Sequence, residues 1–192
     1  AIGRLAGTGI TTGSYNTIVG AAAMQTNSTG AGNVAVGISA LAVAQGSDNV
    51  AVGRSAGDAV TTAANNILIG TDAGGSLTTG GNHVAIGKDS LAQCTTGTEN
   101  TGMGFKALAA VTTGALNVAI GANAGIGLTT ASASVLMGYK AGENLTTGGN
   151  NTAIGYYALR NVAPGASSNV AIGLQALYDC TANNNVAVGY NA

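Results

Sequence analysis

A glycine returns about every 17 residues along the whole chain: Gly3, Gly20, Gly37, Gly53, Gly70, Gly87, Gly104, Gly121, Gly138, Gly155, Gly173 and Gly189. Eight of the eleven intervals are 17, and the others are 16, 18 and 16. A fixed period of this length belongs to chains that stack one unit on the next, each covering the apolar side of its neighbour. The spacing therefore predicts an all-β parallel β-solenoid of eleven to twelve coils, with residues 1–192 as one uninterrupted array. The chain opens on Ala1-Ile2-Gly3, already inside a repeat, and stops three residues after the last anchor, so the expectation is a piece of a longer fibre.

Positions are counted here from the anchor glycine as zero. Position −4 is Asn in nine coils: Asn16, Asn33, Asn49, Asn66, Asn100, Asn117, Asn151, Asn169 and Asn185. His83 and Ser134 take the two remaining places. Asn tolerates left-handed corners, and stacked amides hydrogen-bond from rung to rung, so the column reads as a structural ladder. Positions −3 to −1 form a β-prone run such as Val118-Ala119-Ile120, closed by the glycine. Both faces of that run are apolar, as in a strand covered on two sides. A thin solenoid has one inside, so the second face calls for another copy of the chain. The small residue at −2 is expected to allow that close approach.

Position +3 is Ala in eleven of twelve coils, Ser90 being the exception, which implies a crowded point. Position +4 alternates in pairs of Gly57 and Gly74, Leu91 and Leu108, Gly125 and Gly142, Leu159 and Leu177. Leu68 and Leu136, at −2, fall in coils where +4 is Gly, as close packing requires if volume is exchanged between the two columns. Position +7 is mostly apolar, and Thr pairs such as Thr78-Thr79 and Thr112-Thr113 follow it. One coil then reads as a strand, a glycine bend, a second short strand and a Thr-Gly-Asn corner.

Charged residues are only 7% of the chain, and all thirteen fall at +1, +2, +5, +6 or −5, which traces the solvent side. A net charge of −1 leaves no basic footprint for nucleic acid. No run of 18 apolar residues offers a membrane span. No nucleophile triad, phosphate loop or calcium pattern is present, so neither catalysis nor a cofactor or metal is expected. His83 has no second His in the repeat frame and no Cys near it there. Cys94 and Cys180 share position +7 five coils apart, roughly 24 Å at the usual strand spacing. That is too far for a disulfide, so two free buried thiols are expected.

Paired Thr on a solenoid raises an ice-binding reading, but adjacent residues of a strand point to opposite faces, so one Thr column at most looks outward. Aromatic residues gather toward the C-terminal half. Phe105, Tyr139, Tyr156 and Tyr190 share position +1, with Tyr157 beside them. They are the candidate surface contacts, for a sugar ring or a protein partner, or else they pack on one another between rungs.

The strings Gly149-Asn150-Asn151-Thr152-Ala153-Ile154-Gly155 and Asn169-Val170-Ala171-Ile172-Gly173 resemble the head repeats of trimeric autotransporter adhesins. The longer unit from Leu145-Thr146-Thr147-Gly148 through Tyr156-Tyr157-Ala158-Leu159 is similar to the repeated shafts of phage tail fibres. The resemblance implies a left-handed parallel β-roll, a homotrimer around a common axis and an extracellular role in attachment, with a cell-surface glycan or protein as receptor. The adhesin repeat is shorter, and this chain departs from it through its Thr-Thr-Gly corner. A self-assembling structural filament is the alternative, and an ice-binding solenoid a remote one.

Overall fold

The computed structural model describes residues 1–192. Eleven three-residue strands, from Thr17–Val19 to Val186–Val188, form one parallel sheet in strict chain order. Like residues pair with like: Val34, Ala35 and Val36 lie against Val50, Ala51 and Val52, and those against Ile67, Leu68 and Ile69. The fold is an all-β parallel solenoid of about ten turns, fewer than the glycine count predicts, because the eleven strands of the sheet enclose ten steps. Ahead of them, Ile2 makes a single bridge to Val19.

The rest of each coil is mostly turn, which corrects the expected second strand. Only Asn161–Val162 and Asp179–Cys180 form one, as a separate two-stranded pair. The turns come from left-handed backbone. All 28 non-glycine residues with positive φ fall at +2, +4 or −5, among them Ser39, Leu41 and Asp48. Three such corners per coil fold 17 residues into a closed loop. The anchor glycine adds a fourth bend, with φ between 128° and 142°. A Cβ on any anchor from Gly3 to Gly173 would come within 2.7 Å of the next anchor's carbonyl oxygen, so no other residue fits.

The core is a thin column of 35 buried apolar residues, built from positions −2, +3, +4 and +7 with the corner alanines Ala63, Ala131 and Ala166. Its volumes are exchanged between neighbours. Leu68 fills the space left by two glycines, since a Cβ on Gly57 or Gly74 would lie 2.6 or 2.8 Å from its methyl carbons. Leu136 does the same for Gly125 and Gly142. Ser90, the sole exception in the +3 column, and Gly102, the sole glycine at −2, are partners: Ser90 Oγ donates to the Gly102 carbonyl at 2.8 Å and stands where an alanine methyl would otherwise sit.

Irregular coils are repaired locally. The coil from Gly37 to Gly53 is one residue short at the Thr-pair corner. There the Gln45 side-chain oxygen accepts from Ser28 N at 3.0 Å and Ser28 Oγ at 2.6 Å, a role that the backbone carbonyl of Thr78 plays for Thr61. In the long coil the Pro164 carbonyl accepts from the backbone N–H groups of Thr147 and Gly148.

Candidate functional site: an exposed apolar sheet face

In every strand the middle residue points inward and its two neighbours point out. Ala35, Ala51, Leu68, Ala85, Ala119 and Leu136 are fully buried, so the −2 column lines the core. This reverses the expected close approach at −2. The outward columns are −3 and −1, which hold Val, Ile, Thr and Met. Val52, Ile69, Met103, Ile120, Met137, Ile154 and Ile172 each keep 37–38% of their surface exposed. The columns run continuously along the rod, since each strand pairs in register with the next from Thr17 to Val188. A strip ten spacings long and three residues wide measures roughly 48 by 10 Å, about 480 Å². That is as large as the largest apolar patch on a typical monomer.

The Asn column runs parallel to this face on the inside. A backbone N–H donates to the −4 side chain of the previous rung ten times in succession, from Asn33 to Asn16 up to Asn185 to Asn169. The Nδ2 of Asn33, Asn49, Asn100, Asn117 and Asn151 also donates to the carbonyl of a small corner residue in the next coil, at 2.8–3.0 Å. Asn16 does so to Gly30, and Asn169 and Asn185 donate instead to the previous rung's oxygen, as does Asn66. Ser134 keeps the axial bonds alone.

His83 copies the pattern with a ring. Its Nδ1 accepts from Asn100 N, and its Nε2 lies 2.8 Å from the Gly97 carbonyl, which fixes the neutral Nε2–H tautomer. Burial holds its pKa below the ordinary histidine value. Contrary to the repeat-frame expectation, a cysteine lies beside it: Cys94 Sγ is 3.7 Å from Nε2. Burial pushes the Cys94 thiol up to about 11, so the pair holds a neutral thiol and a neutral imidazole. Both cysteines are free and buried. No group of three or more metal-ligating side chains occurs.

The Thr pairs divide as adjacent residues must. Oγ1 of the first Thr donates along the rod to the next coil's carbonyl, as from Thr78 to Thr95 and from Thr95 to Thr112. The second, such as Thr79, Thr96 and Thr113, is exposed.

At position +1, just past the apolar strip, the candidate aromatic residues separate into two sets. Tyr139 and Tyr156 stack with ring centroids 5.2 Å apart, and Tyr157 meets Tyr156 edge-on at 4.2 Å. Arg160 lies 4.2 Å over the Tyr157 ring and donates to Tyr178 Oη at 2.6 Å. Glu143 binds both Arg160 and Lys140, which holds its carboxyl below the usual range despite the opposing effect of burial. These tyrosines therefore pack on one another, with Tyr139 and Tyr156 still open to solvent. Phe105 stands apart under the Lys106 ammonium at 5.4 Å, and Tyr190 is exposed in the last coil. The sequence had shown both patterns, aromatic +1 and Thr-pair, but not which strand face is open, because Val-Ala-Val reads as apolar in either orientation.

No protein family matches the chain, and no curated protein or solved structure shows significant similarity to it. The likeness to adhesin heads and tail-fibre shafts rests on the repeated motif alone.

Proposed function

We propose that this chain is a non-enzymatic segment of an extracellular attachment fibre, a rod that associates with copies of itself through its Val/Ile face. The observation that carries the reading is the exposed apolar column at −1, flanked by a half-buried −3 column of Val and Ile that Thr17, Thr101 and Thr152 interrupt. An apolar β-face of this length in water is unfavourable by about 25 cal/mol per Å² left uncovered. Two such faces packed together bury roughly 960 Å² in total, close to the ~1,000 Å² that a specific interface needs. The low charge of the chain and the resemblance of its repeats support an assembled fibre. The resemblance supplies the number three, the handedness and the attachment role; the face supports association with at least one further copy. Of the aromatic side chains, Tyr15 and Tyr190 are the most exposed, with Tyr156 and Phe105 next, and these are the contacts offered to a glycan or protein receptor.

Sedimentation velocity of the wild-type segment and of an Ile69→Lys/Ile120→Lys variant tests the reading. A discrete small oligomer that falls to monomer in the variant supports a fibre module. Open-ended polymers support the filament alternative, and a wild-type monomer removes the self-association reading.

A further inference from the structure

We propose that two copies pair on this face antiparallel, about a two-fold axis that runs along the strand direction between the coils of Gly87 and Gly104. The inference rests on the self-association reading and adds its geometry, which differs from the parallel bundle that the resemblance implies.

The warrant is the +1 column, which borders the apolar strip. Its three cations are all in the first half of the chain, Arg4, Arg54 and Lys88, and its four aromatics all in the second, Phe105, Tyr139, Tyr156 and Tyr190. A two-fold axis along the strands lays each column on the same column of the partner, reversed. Centred between the sixth and seventh glycines, it sets the first coil against the twelfth, the fourth against the ninth and the sixth against the seventh. Arg4 then meets Tyr190, Arg54 meets Tyr139, and Lys88 meets Phe105. Every +1 cation faces an aromatic ring of the other copy, the pairing that a ring's quadrupole favours. The fourth aromatic, Tyr156, meets Ile38. In the strip itself, Met137 meets Val52 and Met103 meets Ile86, so the long side chains face branched ones.

The neighbouring +2 column agrees. Lys106 Nζ reaches the Phe105 ring, and Lys88 Nζ lies 3.8 Å from Asp89, so +2 side chains lie beside +1 side chains. The same axis sets Asp89 against Lys106 of the other copy, opposite charges across the centre. A parallel arrangement brings each coil level with its own equivalent: Arg54 with Arg54 where +1 columns meet, or with the Val50 level where they do not. Neither provides the cation–aromatic match. An antiparallel pair joins chains whose ends point in opposite directions, which is the geometry of a bridge between two fibres or two surfaces.

Distances between nitroxide labels in the assembled protein decide the arrangement. Labels are placed at exposed, equivalent positions, Thr12→Cys or Thr96→Cys, with Cys94→Val and Cys180→Val in both. An antiparallel pair gives a short intermolecular distance at Thr96, beside the axis. At Thr12 it adds an axial separation of about ten coil spacings, ~48 Å. Equal distances at the two sites in an assembled species overturn the antiparallel pair and leave self-association standing. A monomer with no intermolecular distance overturns both.

Discussion

His83 Nδ1 accepts a hydrogen bond from the backbone N–H of Asn100 at 3.1 Å, the place that a side-chain oxygen holds in the other rungs. The ring works there only while Nδ1 is unprotonated. Burial makes the folded chain resist protonation of the ring, and a protonated Nδ1 would also lose the bond from Asn100. Because the folded pKa is depressed, the unfolded chain binds the proton first as pH falls below about 6.5. Stability is then lost with decreasing pH, by up to about 1.4 kcal/mol per unit, until the folded His83 also titrates. His83→Asn restores the ladder's usual side chain. Denaturant titrations of the two proteins between pH 7 and pH 5 are expected to diverge, with the wild type losing more stability.

Ser90 and Gly102 are expected to behave as one unit. Gly102→Ala alone places a methyl 2.6 Å from Ser90 Oγ and costs about 1–3 kcal/mol. Ser90→Ala with Gly102→Ala rebuilds the Ala/Ala contact of the other coils and recovers most of that loss. A double-mutant cycle should give a coupling of about 1 kcal/mol or more. Additive effects would contradict the exchange of volume between the two columns.

Asn117 donates to Ala131 O at 2.8 Å and to Asn100 Oδ1 at 3.0 Å, while its own oxygen accepts from Ser134 N at 3.1 Å. Asn117→Ala leaves the buried Ser134 N–H unpaired and is expected to cost about 1–3 kcal/mol. Thr113→Ala, on the exposed Thr column, should cost less than about 0.5 kcal/mol. Thermal or denaturant unfolding of the two variants separates a ladder that bears stability from one that does not.

Cys94 is buried with its thiol pushed up to about 11, so almost no thiolate exists at neutral pH. A maleimide should react with it only as fast as the rod opens. Labelling of the native protein within minutes, read at Cys94 by mass spectrometry, would contradict its place in the +7 column.

The period, the parallel stacking, the Asn ladder's course and the separation of the cysteines follow from residue spacing, because a solenoid maps sequence position directly onto position around the coil. Three features were hidden. The left-handed corners are occupied by Leu116, Tyr15 and Glu99 as readily as by Asn65 or Asn82, so residue type did not mark them. The second strand was expected from apolar runs that instead serve as core-filling turns, as at Leu41 and Leu108. The closeness of His83 and Cys94 needed the corner geometry, which brings −4 and +7 of one coil together inside the rod. The open face was legible as apolar; its direction was fixed only by whether Ala or Val turns inward, and the tight core selects Ala.

The three methionines provide the most direct measurement of whether a second copy covers the Val/Ile face. Met24 is fully buried in the core, while Met103 and Met137 stand on the face with 38% and 37% of their surface exposed in the single chain. Peroxide oxidation, mapped by mass spectrometry in the assembled protein, should leave Met103 and Met137 nearly as protected as Met24. Ile69→Lys/Ile120→Lys should make both reactive while Met24 stays unmodified. Rapid oxidation of Met103 and Met137 in the wild type, at every protein concentration, would contradict a covered face.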